Sequence, residues 1–172
     1  MLTEEWLLLP FILAIGSLVY WTLALGIGPT PSSKKVIQCL QTALPQDVKG
    51  DIVELGCGWG HLLPMLQKTY PENQVIGYER SPIPFYFCTL FHPKVTLRHQ
   101  DIYTANLSNA GLVVCYLCRE GMRRFETELL PYLPEGCHIV THTFAMPSTP
   151  PTHYFKANDL YQTPIYRYHQ KI

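Results

Sequence analysis

An α/β fold is what the sequence predicts: a seven-stranded, mostly parallel sheet with a C-terminal antiparallel hairpin, preceded by one N-terminal transmembrane helix. Three observations predict it. No charged residue occurs from Trp6 to Gly28 in "WLLLPFILAIGSLVYWTLALGIG". From Ser32 to His142, short β-branched runs alternate with helical patterns, as in a parallel sheet with helices on both faces. The tail, "THYFKANDLYQTPIYRYHQKI", reads as two strands about a turn near Gln162, Thr163 and Pro164.

A helix of about 23 residues rises roughly 34 Å, enough to cross a hydrocarbon core of about 30 Å. Thr3, Glu4 and Glu5 suit its N-terminus, where carboxylates complement the dipole, and Trp6, Tyr20 and Trp21 suit the interfaces. A cleaved signal peptide would have a positive first region and a shorter apolar core, so a retained anchor is expected. Lys34 and Lys35 are the first positive residues after it. The positive-inside rule then places the body in the cytoplasm, and a mitochondrial matrix-facing arrangement would look the same. The expected division is an anchor over 1–28, a linker over 29–35 and a catalytic-type domain over 36–172. Across the 172 residues, 13 Lys+Arg balance 13 Asp+Glu, so no basic footprint points to nucleic acid.

"GPTPSSKK", Gly28 to Lys35, is a proline-broken connector. Ser32 or Ser33 can cap a helix that buries Val36, Ile37, Leu40, Ala43 and Leu44. "DIVEL" is a first buried strand, followed after three glycines by a helix over about His61 to Thr69. "NQVIGYER" holds a second strand ending at Glu79, and Ser81 with Pro82 opens an aromatic helix, "PIPFYFCTLFH". "KVTLRHQD" is a third strand ending at Asp101, and "GLVVCYL" a fourth. "REGMRRFETELLPYL" is an amphipathic helix with Met122, Phe125, Leu129 and Leu133 on one face, and "CHIVTHTF" a fifth strand.

The six cysteines suit a reduced compartment, where they act as small core residues. Cys115 and Cys118 close an apolar run and have no second pair, so two buried thiols are expected rather than a zinc or redox site. His138 and His142 share one strand face without a metal signature and read as structural, and Arg98, Arg123 and Arg124 as a solvated face.

The chemistry concentrates in "DIVELGCGWGHLLPML". In an open α/β sheet, ligands sit outside the carboxyl ends of the strands. Glu54, Glu79 and Asp101 arrive there from three successive strands, and Gly56, Gly58 and Gly60 allow close approach to the backbone. A dinucleotide site calls for G-x-G-x-x-G, whereas this turn is E-x-G-x-G-x-G. Glu54 would repel a pyrophosphate and suits a cation bearing an ammonium and a sulfonium, which describes S-adenosylmethionine (SAM).

"ELGCGWG", Glu54 to Gly60, resembles the first motif of the class I, seven-stranded SAM-dependent methyltransferases, a Rossmann-like family. The resemblance covers roughly residues 32–172, including the terminal hairpin. It implies that Glu54, Gly56, Gly58 and Gly60 cradle SAM and that Glu79 takes the ribose. It also puts Asp101, with Ile102 beside it in "HQDIY", at the adenine. Thr30 would close over the methionine end. Tyr116, Cys118 and Arg119 would leave the fourth strand, and Phe144, Met146 and Pro147 the fifth, to line the acceptor slot. Tyr116, Cys118 and Phe144 are thus the expected catalytic residues, with Tyr116 able to orient an amine. No metal is implied.

More narrowly, "GPTPSSKKVIQCL", "GYERSPIPFYF" and "HTFAMPSTPP" are similar to segments of membrane-anchored lysine methyltransferases. That group acts on the ATP synthase c-subunit and the adenine nucleotide translocase. It usually has Asp where this chain has Trp59, a side chain that could face the cofactor or the membrane-side helix. The resemblance implies a membrane-associated protein as substrate, with the membrane engaged through the N-terminal helix. Two other readings stay open: a methyltransferase of a lipophilic small molecule, such as a quinone or lipid precursor, and a non-catalytic methyltransferase-like scaffold. A lysine enzyme needs a narrow apolar channel, a lipid enzyme a wide pocket opening toward the anchor. Intact glycines and acids argue against the scaffold.

Overall fold

The computed structural model describes residues 5–26, 28 and 32–171. Thr30 lies outside them. The helices are α1 (Glu5–Leu25), α2 (Lys34–Ala43), α3 (Leu63–Thr69), α4 (Pro82–Phe91) and α5 (Arg119–Arg124). The strands are β1 (Asp51–Leu55), β2 (Val75–Glu79), β3 (Thr96–His99), β4 (Ala110–Cys115), β5 (His138–His142), β6 (His153–Lys156) and β7 (Pro164–His169).

The seven strands form one sheet in the order β3-β2-β1-β4-β5-β7-β6. The first five are parallel, and β7 runs antiparallel to both β5 and β6. The second strand of the hairpin therefore inserts beside β5 and pushes β6 to the edge. The strand order reverses between β1 and β4, which is where ligands bind in open α/β sheets.

The period-2 alternation of the strands sorts their residues into two cores. Ile52, Leu112, Val114 and Val140 pack with Leu40 of α2 and Leu63 and Leu66 of α3. Val53, Leu55, Val113, Cys115 and Ile139 pack on the other face with Met122, Phe125, Leu129 and Leu133. All four predicted residues of that last helix are buried, each such side chain contributing about 1.5–3 kcal/mol on transfer from water.

Helix α1 is largely exposed, and its segment Leu8–Leu25, with a mean hydropathy of 2.0, is long and apolar enough to cross a membrane. Its half-buried positions, Ala14, Ser17, Leu18, Trp21, Thr22 and Leu25, recur at helical spacing, and α1 packs against α4.

The structure differs from the sequence expectations in four places. The third helix begins at Leu63 rather than His61, with Pro64 in its first turn. The third strand stops at His99, and Asp101 instead caps a short 3-10 turn, Ile102–Thr104. The expected single helix after β4 divides into α5, a π turn over Phe125–Leu129 and a 3-10 turn over Leu130–Tyr132. Pro131 has no N–H to continue the α ladder, and the Leu130 N–H reaches the Phe125 carbonyl five residues back. Ser81 precedes α4 without a side-chain cap; Pro84, three residues on, has no N–H to donate to its hydroxyl.

Candidate functional site

At the carboxyl end of β1 the chain turns through Gly56, Gly58 and Gly60, with φ of 74°, 53° and 75°. All three are left-handed conformations that β-carbon-bearing residues resist. The N–H groups of Gly56 and Cys57 donate to the Tyr78 carbonyl at 2.9 and 3.0 Å, binding the turn to β2. Glu79 completes the link: one carboxylate oxygen accepts from the Gly58 N–H at 2.8 Å, the other from the Ser81 N–H at 2.7 Å. Beneath the turn, the Cys88 thiol donates to the Gly58 carbonyl at 3.1 Å.

Glu54 is only 5% exposed, and among the described residues its Oε2 has no hydrogen-bond partner. Burial first, then the neighbouring Cys88 and Glu79, pushes its pKa well above the usual carboxylate range. An ammonium group set against this oxygen would supply the missing donor and favour the ionised form.

Glu54 looks into a cavity of about 370 Å³. Of the expected cofactor residues, Gly56, Gly58, Asp101 and Ile102 also line it, while Gly60 and Glu79 support the turn from behind. Tyr116 and Cys118 line the cavity; Phe144 does not, and packs partly buried against the second core. Met146 is buried, its N–H donating to the Tyr168 hydroxyl at 3.0 Å. Trp59 lines the cavity and also meets Phe87 of α4 edge-on, with ring centroids 5.2 Å apart.

Asp101 accepts from the Tyr103 N–H at 3.1 Å and pairs with Arg80 at 2.8 Å. The Arg80 guanidinium in turn lies over the Trp21 ring, 5.3 Å from its centroid. Tyr116 stacks on His142 at 4.3 Å, with the rings 15° apart. The two His142 nitrogens face the Ser32 and Thr143 hydroxyls at 3.4 and 3.1 Å. Burial lowers the His142 pKa to about 4, so the imidazole is neutral near pH 7. Thr143, beside it, has φ 72°, a strained conformation for a β-branched residue. Cys118 caps α5 by accepting from the Gly121 N–H at 3.4 Å, and its thiol faces the Leu25 carbonyl at 3.8 Å. Cys115 is buried, and among the described residues no cluster of three or more His, Cys, Asp or Glu could hold a metal ion.

Two features of the site went unread in the sequence. The first is the wall formed by Trp21 to Gly26 at the end of α1. The second is the outer side, where the Tyr103 hydroxyl donates to the Gly121 carbonyl at 3.1 Å and Arg124 lies 3.6 Å from the Tyr103 ring centroid. Burial pushes the Tyr103 pKa up to about 12. Arg124 also pairs with Glu128, and Arg123 with Glu120, so these arginines are engaged locally. The adjacency of Arg80 to Glu79 was the one local sign that a cation stands at this rim.

The residues present fit SAM: a buried carboxylate oxygen without a donor, backbone open to close approach, and acids after three successive strands. Residues 54–153 match the family model described as the ANTKMT methyltransferase domain. Among curated proteins none matches the sequence. Several solved structures share the fold. An RNA methyltransferase from Salinibacter ruber, in complex with S-adenosyl-L-homocysteine, is 22% identical, with a TM-score of 0.69 over 83% of this chain and 94% of that one. A phosphoethanolamine N-methyltransferase from Haemonchus contortus is 14% identical, with a TM-score of 0.53 over 63% and 25%. The plantazolicin methyltransferase BpumL is 19% identical, with a TM-score of 0.50 over 63% and 44%. This chain thus spans less than half the length of the last two.

Proposed function

The chain belongs to the ANTKMT methyltransferase domain family, and from that premise we propose that this SAM-dependent methyltransferase is membrane-tethered and methylates a lysine of a membrane-associated protein. The observation that carries the tether is the composition of the cavity. One wall is the glycine turn with Glu54, and another is the end of α1, Trp21 to Gly26. A helix apolar enough to cross a bilayer therefore ends in the site itself. With Lys34 and Lys35 following the span, the domain lies on the cytoplasmic or matrix side. Lysine as acceptor rests on the family.

When bound, SAM supplies a methyl group on a sulfonium, so the protein's task is alignment rather than bond chemistry. Glu54 would hold the ammonium, the glycine turn would admit the ligand close to the backbone, and Asp101 would offer an acceptor at the rim, while Glu79 fixes the turn through the Gly58 and Ser81 N–H groups. A lysine amine, with a free pKa of about 10.4, must enter uncharged. The apolar side chains of Leu25, Leu117 and Tyr116 around the cavity favour the neutral amine by desolvation. The Tyr116 hydroxyl can accept one of its N–H bonds, while His142 stacked behind the ring keeps it in place.

One observation favours a second reading. Trp21, Leu23, Ala24 and Leu25 give the cavity an apolar side continuous with the anchor, which also suits a lipophilic small molecule. Full-length protein reconstituted into native membrane extract with methyl-tritiated SAM separates the two. Label recovered as methyllysine after protein hydrolysis supports the proposal, and label confined to the organic-solvent extract supports the second reading. SAM binding without any transfer points to a scaffold.

A further inference from the structure

Helix α4 carries an apolar face that the described residues leave largely uncovered. Tyr86, Phe87, Leu90 and Phe91 are 65%, 39%, 74% and 59% exposed. They fall at i, i+1, i+4 and i+5, one stripe of the helix. The opposite side, Pro84 and Cys88, is buried in the domain. A contiguous aromatic and aliphatic patch of this kind is uncommon on a soluble surface and marks a contact.

We propose that α4 is a second membrane-contacting element, lying in the headgroup region of an anionic bilayer beside the point where α1 emerges. The proposal rests on the membrane tether. Two observations choose a bilayer over a protein as the partner. The first is position: α1 packs against α4, and the Arg80 guanidinium just before α4 lies over Trp21. Trp21 lies one turn before the end of α1, so the start of α4 is held at the level where the span leaves the bilayer. The second is charge: Arg80 is paired with Asp101, but between them, from Ser81 to Gln100, there is no acidic residue, and Lys94 and Arg98 are positive. Lys94 and Arg98 are exposed. In a chain of zero net charge this is a local excess, and cations flanking an apolar helical face are the composition of an interfacial helix on anionic lipid.

The arrangement couples the membrane to the site. Phe87 meets Trp59 in the cavity wall, Cys88 holds the Gly58 carbonyl, and Gly60 packs on the His92 ring. A bilayer against α4 therefore presses on the element that shapes the glycine turn.

The test is photocrosslinking of the full chain, with p-benzoylphenylalanine in place of Ile15, Leu90 or Tyr132. Each protein is reconstituted into vesicles of phosphatidylcholine and phosphatidylglycerol with a radiolabelled acyl chain. Tyr132 is exposed and precedes the amino end of β5, the opposite rim from the cavity. Lipid adducts at position 90 comparable with those at 15, absent at 132 and reduced when phosphatidylglycerol is omitted, are expected. Adducts at 15 without adducts at 90, protein adducts at 90, or equal adducts at 90 and 132 would overturn the proposal while leaving the tether intact. No lipid adduct at 15 would instead remove the tether reading and this inference with it.

Discussion

Glu54 holds a carboxylate where burial opposes its charge and, among the described residues, one oxygen lacks a donor. Such a group costs the ligand-free fold stability and is retained for what it binds. Glu54→Gln is expected to raise the melting temperature of the ligand-free protein and to weaken SAM binding about ten- to a hundredfold, the worth of a charged hydrogen bond. The pH dependence has a definite sign. With its pKa raised by folding, native Glu54 keeps a proton that the unfolded chain has lost, so its contribution to stability falls as pH rises through the range above ordinary carboxylates. Thermal unfolding of the ligand-free protein across that range should show this slope, and the Gln variant should lack it. A slope unchanged in the variant would assign it to another group. Glu54 was legible from the glycines that follow it. The support His142 gives Tyr116 was not, because a histidine at a strand end looks the same whether or not a ring from the neighbouring strand stacks on it.

The glycine turn is an element whose geometry depends on its neighbours. At Gly60 a Cβ would lie 2.7 Å from the His92 ring and 2.9 Å from the Cys88 sulfur, at φ 75°. Gly136 has a similar φ, 79°, but its nearest neighbour would be 3.9 Å away. Gly60→Ala is therefore expected to destabilise the domain by about 1–3 kcal/mol and to weaken SAM binding, whereas Gly136→Ala carries only the backbone strain and leaves binding unchanged. Denaturant midpoints and calorimetric titration of both variants check this, and equal loss of binding in the two would refute a specific role for the turn. Most elements were readable from periodicity, as Val36, Leu40 and Ala43 in α2 and the alternating residues of β4 show. The break after α5 was less readable: Pro131 announces an interruption, but the wide turn before it follows from how Phe125, Leu129 and Leu133 seat on the sheet.

At the scale of the whole molecule, α1 is long and apolar enough to cross a membrane and is also part of the site. Trp21 supports Arg80, which pairs with Asp101, so the helix reaches the cavity rim through one aromatic contact. Trp21→Ala in the full chain in vesicles is expected to reduce SAM affinity about two- to fivefold, the range of an exposed cation–π contact, with little change in melting temperature. Val19→Ala, on the exposed side, should leave affinity unchanged, and equal effects of the two would exclude the Trp21 link. Local spacing and residue type were enough to read the alternation of strands and helices, the apolar N-terminal run, and the acid-and-glycine turn with acids after three strands. Long-range packing, by contrast, set β7 between β5 and β6, turned the Glu79 carboxylate to Gly58 and Ser81, left one Glu54 oxygen without a partner among the described residues, and brought α1 to close one side of the cavity. These features join segments far apart in the chain, as Leu25 and Cys118 do, and no local periodicity encodes which distant surfaces will pack together.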